Sequence, residues 1–298
     1  MANDVTPLVL DVINNSLPAM RRSMALSARI YNHNRNGFDG RGSSRWTKWT
    51  AASVETKTEG TQLTDSIGDI TVGKVVLEPE THKVARIRLE DGEMSRTQGG
   101  IKSLLMQQVP RNLIALVNTI ETAIAAKQSS LTTNRIGVLG NGLDKSLLAK
   151  AIRMLEEQEG RPDTLCVSPY TKEGIMTDEE TMKLFMYLQS GNASVGQFVP
   201  NALGFGAVGV SNQIYTPDTG QYVALAFQRE CLGIAFGDLT GVDEGAGRFI
   251  KSITDPDTGI TFRVVQGASH DLHGQVISID VQYDIEVQQE EIGVAILC

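Results

Sequence analysis

The chain has 298 residues, 41% of them hydrophobic and 21% charged, with a formal net charge of −8. Those proportions belong to a soluble globular protein with room for one large domain or two intimate ones. No apolar run approaches the roughly 18 residues that would cross a bilayer as a helix, so a helical membrane protein is excluded. No basic region followed by an apolar stretch and a small-residue cleavage site opens the sequence, so no secretory leader is expected and the chain is expected to fold in a cytoplasm. Aromatic residues make up 5%, which leaves the core to Val, Ile, Leu, Met and Ala.

Cys166, Cys231 and Cys298 are an odd number of widely separated thiols with no CxxC spacing. That pattern argues against a disulfide framework and against a zinc site. Charge is unevenly placed. Residues 1–50 carry seven basic side chains (Arg21, Arg22, Arg29, Arg35, Arg41, Arg45, Lys48) against Asp4, Asp11 and Asp39, which leaves a net −12 on the remainder. A basic arm on an acidic body is suited to an acidic surface, either a neighbouring subunit or nucleic acid, although chance sampling of charge gives the same pattern. The body itself should repel DNA.

Residues 5–30 read as helical, because Val5, Leu8, Val9, Val12, Ile13, Leu17, Met20 and Met24 recur at three- and four-residue steps. Pro7 fits a first turn, and Pro18 is expected to kink or divide the helix. A turn-rich stretch over 32–44 contains Asn34, Gly37, Gly40 and Gly42. From residue 45 to 90 the pattern changes to strand. Residues 46–57 are rich in Thr, Trp and Val, and Glu59-Gly60 follows. Residues 70–77, a turn at Glu78-Pro79-Glu80-Thr81 and a return strand read as a hairpin, with Ala85, Ile87 and Leu89 alternating with Arg86 and Arg88. An isolated ribbon of two strands is marginally stable in water, so this one is expected to lie on another chain. Both tryptophans, Trp46 and Trp49, stand at its start. They read as interface anchors, with packing on the chain's own core as the alternative.

Residues 101–128 form the clearest helix, with Val109, Leu113, Leu116, Val117, Ile120 and Ile124 on one stripe. Pro110 is expected to open the main helix after a shorter one over 101–108. A Gly-rich connection over 137–142 precedes an amphipathic helix over 144–159, which Gly160-Arg161-Pro162 should stop. Residues 164–168 read as a short strand and 178–189 as a third helix. Thr216-Pro217-Asp218-Thr219-Gly220 and Asp255-Pro256-Asp257-Thr258-Gly259 have the residue order of hairpin turns. In the last long strand, Ile277, Ile279, Val281, Tyr283, Ile285 and Val287 alternate with Ser278, Asp280, Gln282, Asp284, Glu286 and Gln288. Twelve alternating positions predict a half-buried strand roughly 40 Å long. Its apolar face needs a cover of similar length, and the helix beginning near Pro110 is expected to supply it.

Motifs that could carry chemistry are weak. Gly204-Phe205-Gly206-Ala207-Val208-Gly209 matches G-x-G-x-x-G, but a strand and a proline turn follow it where dinucleotide binding needs a helix. Gly137-Val138-Leu139-Gly140-Asn141-Gly142 resembles the start of a P-loop, yet Leu143 stands where the phosphate-binding Lys belongs. His270 and His273 lack a third ligand nearby, with His33 and His82 far away in sequence. Asp255 and Asp257 lack the later carboxylates of a calcium loop. No catalytic residues, cofactor or metal are expected.

The order of these parts resembles the Johnson fold of tailed-bacteriophage major capsid proteins. The likeness is carried by Trp49, Glu59-Gly60 and Leu63-Thr64-Asp65, by Pro256-Asp257-Thr258-Gly259 through Gly267 and Gly274, and by Tyr283-Asp284 with Glu291-Ile292-Gly293-Val294. Within that family the sequence is most similar to coat proteins of short-tailed lambdoid phages of the Salmonella type. The resemblance implies an α+β fold with an N-terminal arm (1–35), an extended loop with adjoining peripheral strands (36–92) and a peripheral spine helix (93–135). An axial domain (136–250) and a peripheral long strand with C-terminal tail (251–298) complete it. It implies a non-enzymatic shell subunit assembling with itself as hexamers and pentamers around double-stranded DNA. It also implies a separate scaffolding protein, a portal and room for a decoration protein, with no sequence-specific contact to DNA and no membrane partner. Trp46, Trp49, Glu59, Leu63, Asp65, Arg86 and Arg88 are the intersubunit contacts it suggests. No telokin-like insertion, cleavable scaffold region or cross-linking constellation maps onto the sequence. The alternatives are an encapsulin-type compartment shell, another virion part such as a tail tube or decoration protein, and a nucleotide-dependent soluble enzyme.

Overall fold

The computed structural model of the chain describes residues 6–49, 72–90, 92, 100–177, 198–202, 204–214, 223–239, 249–269 and 274–298. In chain order the elements begin with α1 (Thr6–Ser23), β1 (Tyr31–Asn32), β2 (Ser44–Trp49), β3 (Val72–Leu77), β4 (Thr81–Glu90) and α2 (Gly100–Ala126). There follow β5 (Arg135–Gly137), α3 (Lys145–Glu157), β6 (Thr164–Val167), α4 (Pro169–Thr177), β7 (Phe198–Ala202), β8 (Phe205–Val210) and β9 (Val223–Phe227). The last five are β10 (Leu232–Phe236), β11 (Phe249–Thr254), β12 (Thr261–Ser269), β13 (Gly274–Val287) and β14 (Gly293–Leu297).

The period-two alternation near the end of the chain becomes β13, the centre of the first sheet. Along one edge it pairs with β12 over its first half and β10 over its second, both antiparallel. Along the other edge it pairs with β4, from Gly274 opposite Glu90 to Tyr283 opposite Thr81. Ile277, Ile279, Val281, Tyr283 and Ile285 are buried in the same cluster as Leu105, Val109, Leu113, Val117, Ile120 and Ile124 of α2. The 27 residues of α2 extend about 40 Å at 1.5 Å each, close to the span of a strand of 14 residues at about 3.3 Å each. The expected cover of helix on strand is therefore present, and α1 packs along α2 on its other side.

Both prolines lie inside unbroken helices. α1 runs through Pro18, and α2 runs through Pro110, so the separate helix expected over 101–108 is its first part. A helical proline deprives the carbonyl four residues back of its hydrogen bond. Here those carbonyls belong to Asn14 and Met106, both exposed, where water can take the bond. α1 also ends sooner than the periodicity suggests. After Ser23 the backbone turns into the carboxylate of Glu121, which accepts from the N–H groups of Ala25 (3.3 Å), Leu26 (2.7 Å) and Ser27 (2.8 Å) and from the Ser27 hydroxyl (2.5 Å). Met24, Ala25, Leu26 and Ile30 are thereby folded into the core without helical backbone. Burial pushes the Glu121 pKa up, and the four donors oppose that shift.

The pairing of β3 and β4 also differs from expectation. Residues 70–77 and 85–89 read as two arms of one hairpin. In the structure β3 pairs with β2, from Ser44 opposite Leu77 to Trp49 opposite Val72, and β4 leaves it to join β13. The apolar face of β4 decides this: Ile87 and Leu89 are buried under α2, whereas a free ribbon would leave them in water.

The second sheet has the order β5-β14-β9-β6-β8-β7. It redistributes the expected division of the chain into 136–250 and 251–298. β10, expected in the axial unit, belongs to the first sheet; β14, expected with the long strand, lies between β5 and β9. Both strands are almost wholly buried and apolar on both faces, which suits interior positions. Alternate residues of the second sheet face different cores. Cys166, Leu225, Phe227 and Ala295 join the α1–α2 core, while Leu165, Ala224, Ala226, Val294 and Ile296 pack with Leu148, Ala151 and Leu155 of α3. α3 begins where Asp144 Oδ1 accepts from the Leu147 N–H at 2.8 Å, a helix N-cap. The helix expected over 178–189 and the turn over 216–220 lie outside the described residues.

Glu121→Ala would leave three buried N–H groups and a hydroxyl without an acceptor. Each orphaned group costs about 1–3 kcal/mol, so chemical denaturation should show a loss of roughly 3 kcal/mol or more. A loss under about 1 kcal/mol would mean that water replaces the carboxylate.

Candidate assembly interface

Among the described side chains of the β2–β3 ribbon, burial is confined to the root, where Leu77 is fully enclosed and Ser44 nearly so; Thr47, Gly73 and Lys74 farther along are exposed. The root is held by its own chain. Trp46 is half-buried, its ring edge-on to Tyr31 at 4.8 Å between centroids, and its indole N–H is buried without a partner among the described residues. His33 is buried, with Nδ1 2.7 Å from Ser44 Oγ and Nε2 against the Gln288 side-chain amide. Lys48 Nζ reaches Glu291 Oε1 at 2.5 Å, which holds that carboxyl below its ordinary range. The expected turn-rich stretch before the ribbon is present as a short helical turn, Asn34–Asn36, with Gly37, Gly40 and Gly42 all at positive φ.

Of the seven interface residues the sequence suggests, the structure describes the side chains of three. Trp46 sits at the ribbon root as above. Arg86 and Arg88 project from β4 on the face away from α2, opposite Ser278 and Val276, and both are exposed. Trp49 pairs with Val72 through its backbone, while Glu59, Leu63 and Asp65 lie outside the described residues. The Arg86 face also carries His82 and Val84, the latter 41% exposed. At its centre Asp280 Oδ2 accepts from Arg263 Nε (3.2 Å) and Nη2 (2.6 Å), and Asp280 Oδ1 is buried with no partner among the described residues. Among those residues no strand pairs with the outer edge of β4. A ten-residue edge studded with charge discourages indiscriminate pairing and leaves main-chain groups for a specific one.

The motif candidates resolve into structural roles. The Gly204–Gly209 string is the turn into β8 and β8 itself, paired with β6 and β7, so it does not lead from a strand into a helix as a dinucleotide loop does. Gly137 has φ +87°, and a Cβ there would lie 2.1 Å from the Leu297 carbonyl oxygen, so only glycine fits. The helix after Gly142 already has the Asp144 carboxylate at its N-terminus, where a phosphate would bind. Asp255, fully buried, holds the β11–β12 turn by accepting from Thr258 Oγ1 at 2.6 Å, and with Asp257 it pairs with Arg21 of α1. Burial pushes the Asp255 pKa up, but Arg21 and Thr258 outweigh it and hold the group below its ordinary value. All three cysteines are buried, and burial pushes Cys231 up to about 12. Among the described residues no three His, Cys, Asp or Glu side chains stand together as metal ligands; His270 and His273 lie outside them. Sequence reasoning gave no role to His33 at the ribbon root, to a Lys48–Glu291 pair or to Arg21 on the Asp255 turn, since each depends on partners distant in sequence.

No sequence-family model and no curated protein matches the chain. Solved structures do. The cyanophage A-1(L) capsid asymmetric unit matches with a TM-score of 0.64 at 12% identity, covering 93% of this chain and 92% of that one. A Mycobacterium phage Che8 structure matches with a TM-score of 0.61 at 14% identity, covering 92% and 91%. A virus-like particle from Pyrococcus furiosus matches with a TM-score of 0.54 at 11% identity, covering 97% and 96%. The chain thus has the α+β Johnson fold found in tailed-phage capsids.

Because Asp255 is depressed in the folded state, it adds stability above an ordinary carboxyl pKa of about 4, which is lost as pH falls through the lower folded value. Arg21→Gln should therefore lower stability near neutral pH by roughly 2 kcal/mol, less than for a fully enclosed pair because Arg21 is partly exposed. It should also flatten the acid limb of the stability curve. Parallel acid limbs in wild type and variant would show that the pair is not the source.

Proposed function

We propose that the chain is the major capsid protein of a tailed phage, a non-enzymatic subunit that assembles with copies of itself into a closed icosahedral shell around double-stranded DNA. The observation that carries this reading is a capsid-type fold over more than nine-tenths of the chain, from which a two-stranded ribbon emerges with its farther residues Thr47, Gly73 and Lys74 exposed. The order of short motifs supports closeness to short-tailed lambdoid phages of the Salmonella type.

In this reading residues 36–92 form the extended loop. Its distal part, 50–71, carries Glu55, Glu59, Asp65 and Asp69 against Lys57 alone. That acidic segment complements the basic face of β4, with Arg86 and Arg88, on a neighbouring copy. Leu63, Trp46 and Trp49 supply apolar contact beside it. The second sheet with α3 and α4 meets its equivalents around hexamer and pentamer axes, and the first sheet with α2 forms the peripheral platform. A separate scaffolding protein and a portal are the partners in assembly, which takes place in the host cytoplasm. A decoration protein has the outer surface available. Packaged DNA meets an acidic body that does not grip it.

Electron microscopy of the expressed chain, alone and with a scaffold, should show closed particles; small oligomers or tubes under all such conditions would overturn the reading. Particles that enclose a protein cargo and no DNA during phage growth would point instead to a compartment shell. A sharper test uses the register of the ribbon. Trp49 and Val72 face each other, so replacing residues 50–71 by Asn-Gly closes the ribbon with a tight turn. That variant should melt within a few degrees of wild type and form no particles. Arg86→Glu with Arg88→Glu should also block assembly, and adding Glu59→Lys with Asp65→Lys should restore it. Unimpaired particles from the double arginine variant would place the contact elsewhere.

A further inference from the structure

The root of the ribbon contains a titratable group whose surroundings suit only one of its protonation states. His33 joins three parts of the chain: the β1 segment that carries it, Ser44 at the start of β2, and Gln288 just after β13. Its ring stands edge-on to Tyr31 at 5.0 Å and to Trp46 at 6.3 Å between centroids. Its backbone N–H donates to the Ile234 carbonyl at 2.9 Å, fixing the ring over β10. Gln288 is equally confined. A Cβ on Gly233 would fall 2.2 Å from its Nε2, so glycine on β10 is what makes space for that side chain. The amide nitrogen of Gln288 faces His33 Nε2, and its Oε1 is buried with no partner among the described residues.

A neutral imidazole fits this arrangement: Nε2 accepts from the Gln288 amide while Nδ1–H donates to Ser44 Oγ. A proton on Nε2 would meet the amide N–H head-on and place a charge among two aromatic rings and apolar backbone. Relief requires either turning Gln288 so that its orphaned Oε1 accepts, or lifting the β2 root away.

We propose that His33 is a proton-operated latch: neutral, it seats the ribbon root against β1 and the β13–β14 junction; protonated, it releases Ser44 and Trp46. Burial lowers the pKa of the seated imidazole. The seated state therefore binds fewer protons than the released one below an ordinary histidine value of about 6.5. Acidification through that range favours release, and a return to neutral pH favours seating.

Other charged groups lie on the elements packed around it. Lys48 and Glu291 pair with each other, and Glu286 pairs with Lys127 at 3.0 Å. Glu290 accepts from the Thr133 N–H at 2.8 Å, and Asp284 from the Glu78 N–H at 2.9 Å. Arg35, Arg45 and Arg229 with Glu230 complete the set. Glu290 and Glu291 are held below the ordinary carboxyl range by Thr133 and Lys48. They stay ionised while a histidine titrates.

The latch belongs to the single chain, so its test is independent of whether shells form. The protein's two tryptophans, Trp46 and Trp49, both lie on β2, which makes indole emission a report on that strand, and on the ribbon root alone in a Trp49→Phe background. Titration from about pH 8 to about pH 5 should shift the emission of the unassembled full-length chain to the red, with a midpoint below about 6.5 and unchanged far-ultraviolet circular dichroism. His33→Gln should abolish the step. Gln288→Glu, which sets a carboxylate against Nε2 and so favours the imidazolium in the seated state, should abolish the red shift over this range. Glu291→Gln should leave it in place. A flat wild-type profile, a step that survives His33→Gln, a red shift that survives Gln288→Glu, or a step lost with Glu291→Gln would each overturn the latch. If His33→Gln does not fold, the Gln288→Glu and Glu291→Gln comparisons still decide it.

Discussion

A strand of fourteen residues with one apolar face cannot exist uncovered in water, and that constraint organises the rest of the molecule. β13 lies under a helix of similar reach, and α2 is in turn enclosed by α1 on its far side. Because β13 is longer than any strand beside it, it collects three partners. β12 and β10 follow one another along one edge, and β4 runs along the other. Segments separated by some two hundred residues in sequence are thereby fixed to a single rod, which gives the first sheet its rigidity.

The second half of the structure is attached by shared burial. One face of the second sheet completes the core under α1 and α2, and the other receives α3. Relative movement of the two halves would uncover Leu225, Phe227 and Ala295, so the joint is stiff where those residues lie. The ribbon is different in kind. Among the described residues, its contacts to the body include a half-buried indole, the Ser44–His33 bond and an enclosed leucine at the root, and an exposed ion pair farther along. An exposed ion pair contributes little to stability, so the ribbon's orientation rests on a few side chains near β1.

Much of this was legible in the residues. The alternation over 277–288 and the stripe from Val109 to Ile124 are repeating signals, and each repeat adds to the certainty of its period. The Asp255–Gly259 turn was legible through its local chemistry. Pairing was not. A short turn at 78–80 makes β3 and β4 natural hairpin partners, and only the burial of Ile87 and Leu89 beneath α2 tells otherwise. The helix boundaries at Ser23 and Pro110 failed for related reasons. A lone glutamate within an apolar stripe does not announce that it will cap another segment's backbone, and a proline's lost bond matters less where its carbonyl partner meets water. At the candidate interface, Arg86 and Arg88 were legible from alternation. His33 was not, because its significance depends on Ser44 and Gln288, which only the fold brings to it.

The position of β14 bears on the order in which the molecule can be built. It lies between β5 and β9, and both of those strands precede it in the chain by more than sixty residues. During synthesis the first of these must wait, exposed and unpaired on that side, until 293–297 emerge from the ribosome. The second sheet is thus completed only after β14 has emerged. Until translation has passed this point the edges of β5 and β9 stay open, so the connectivity itself delays closure of the second sheet.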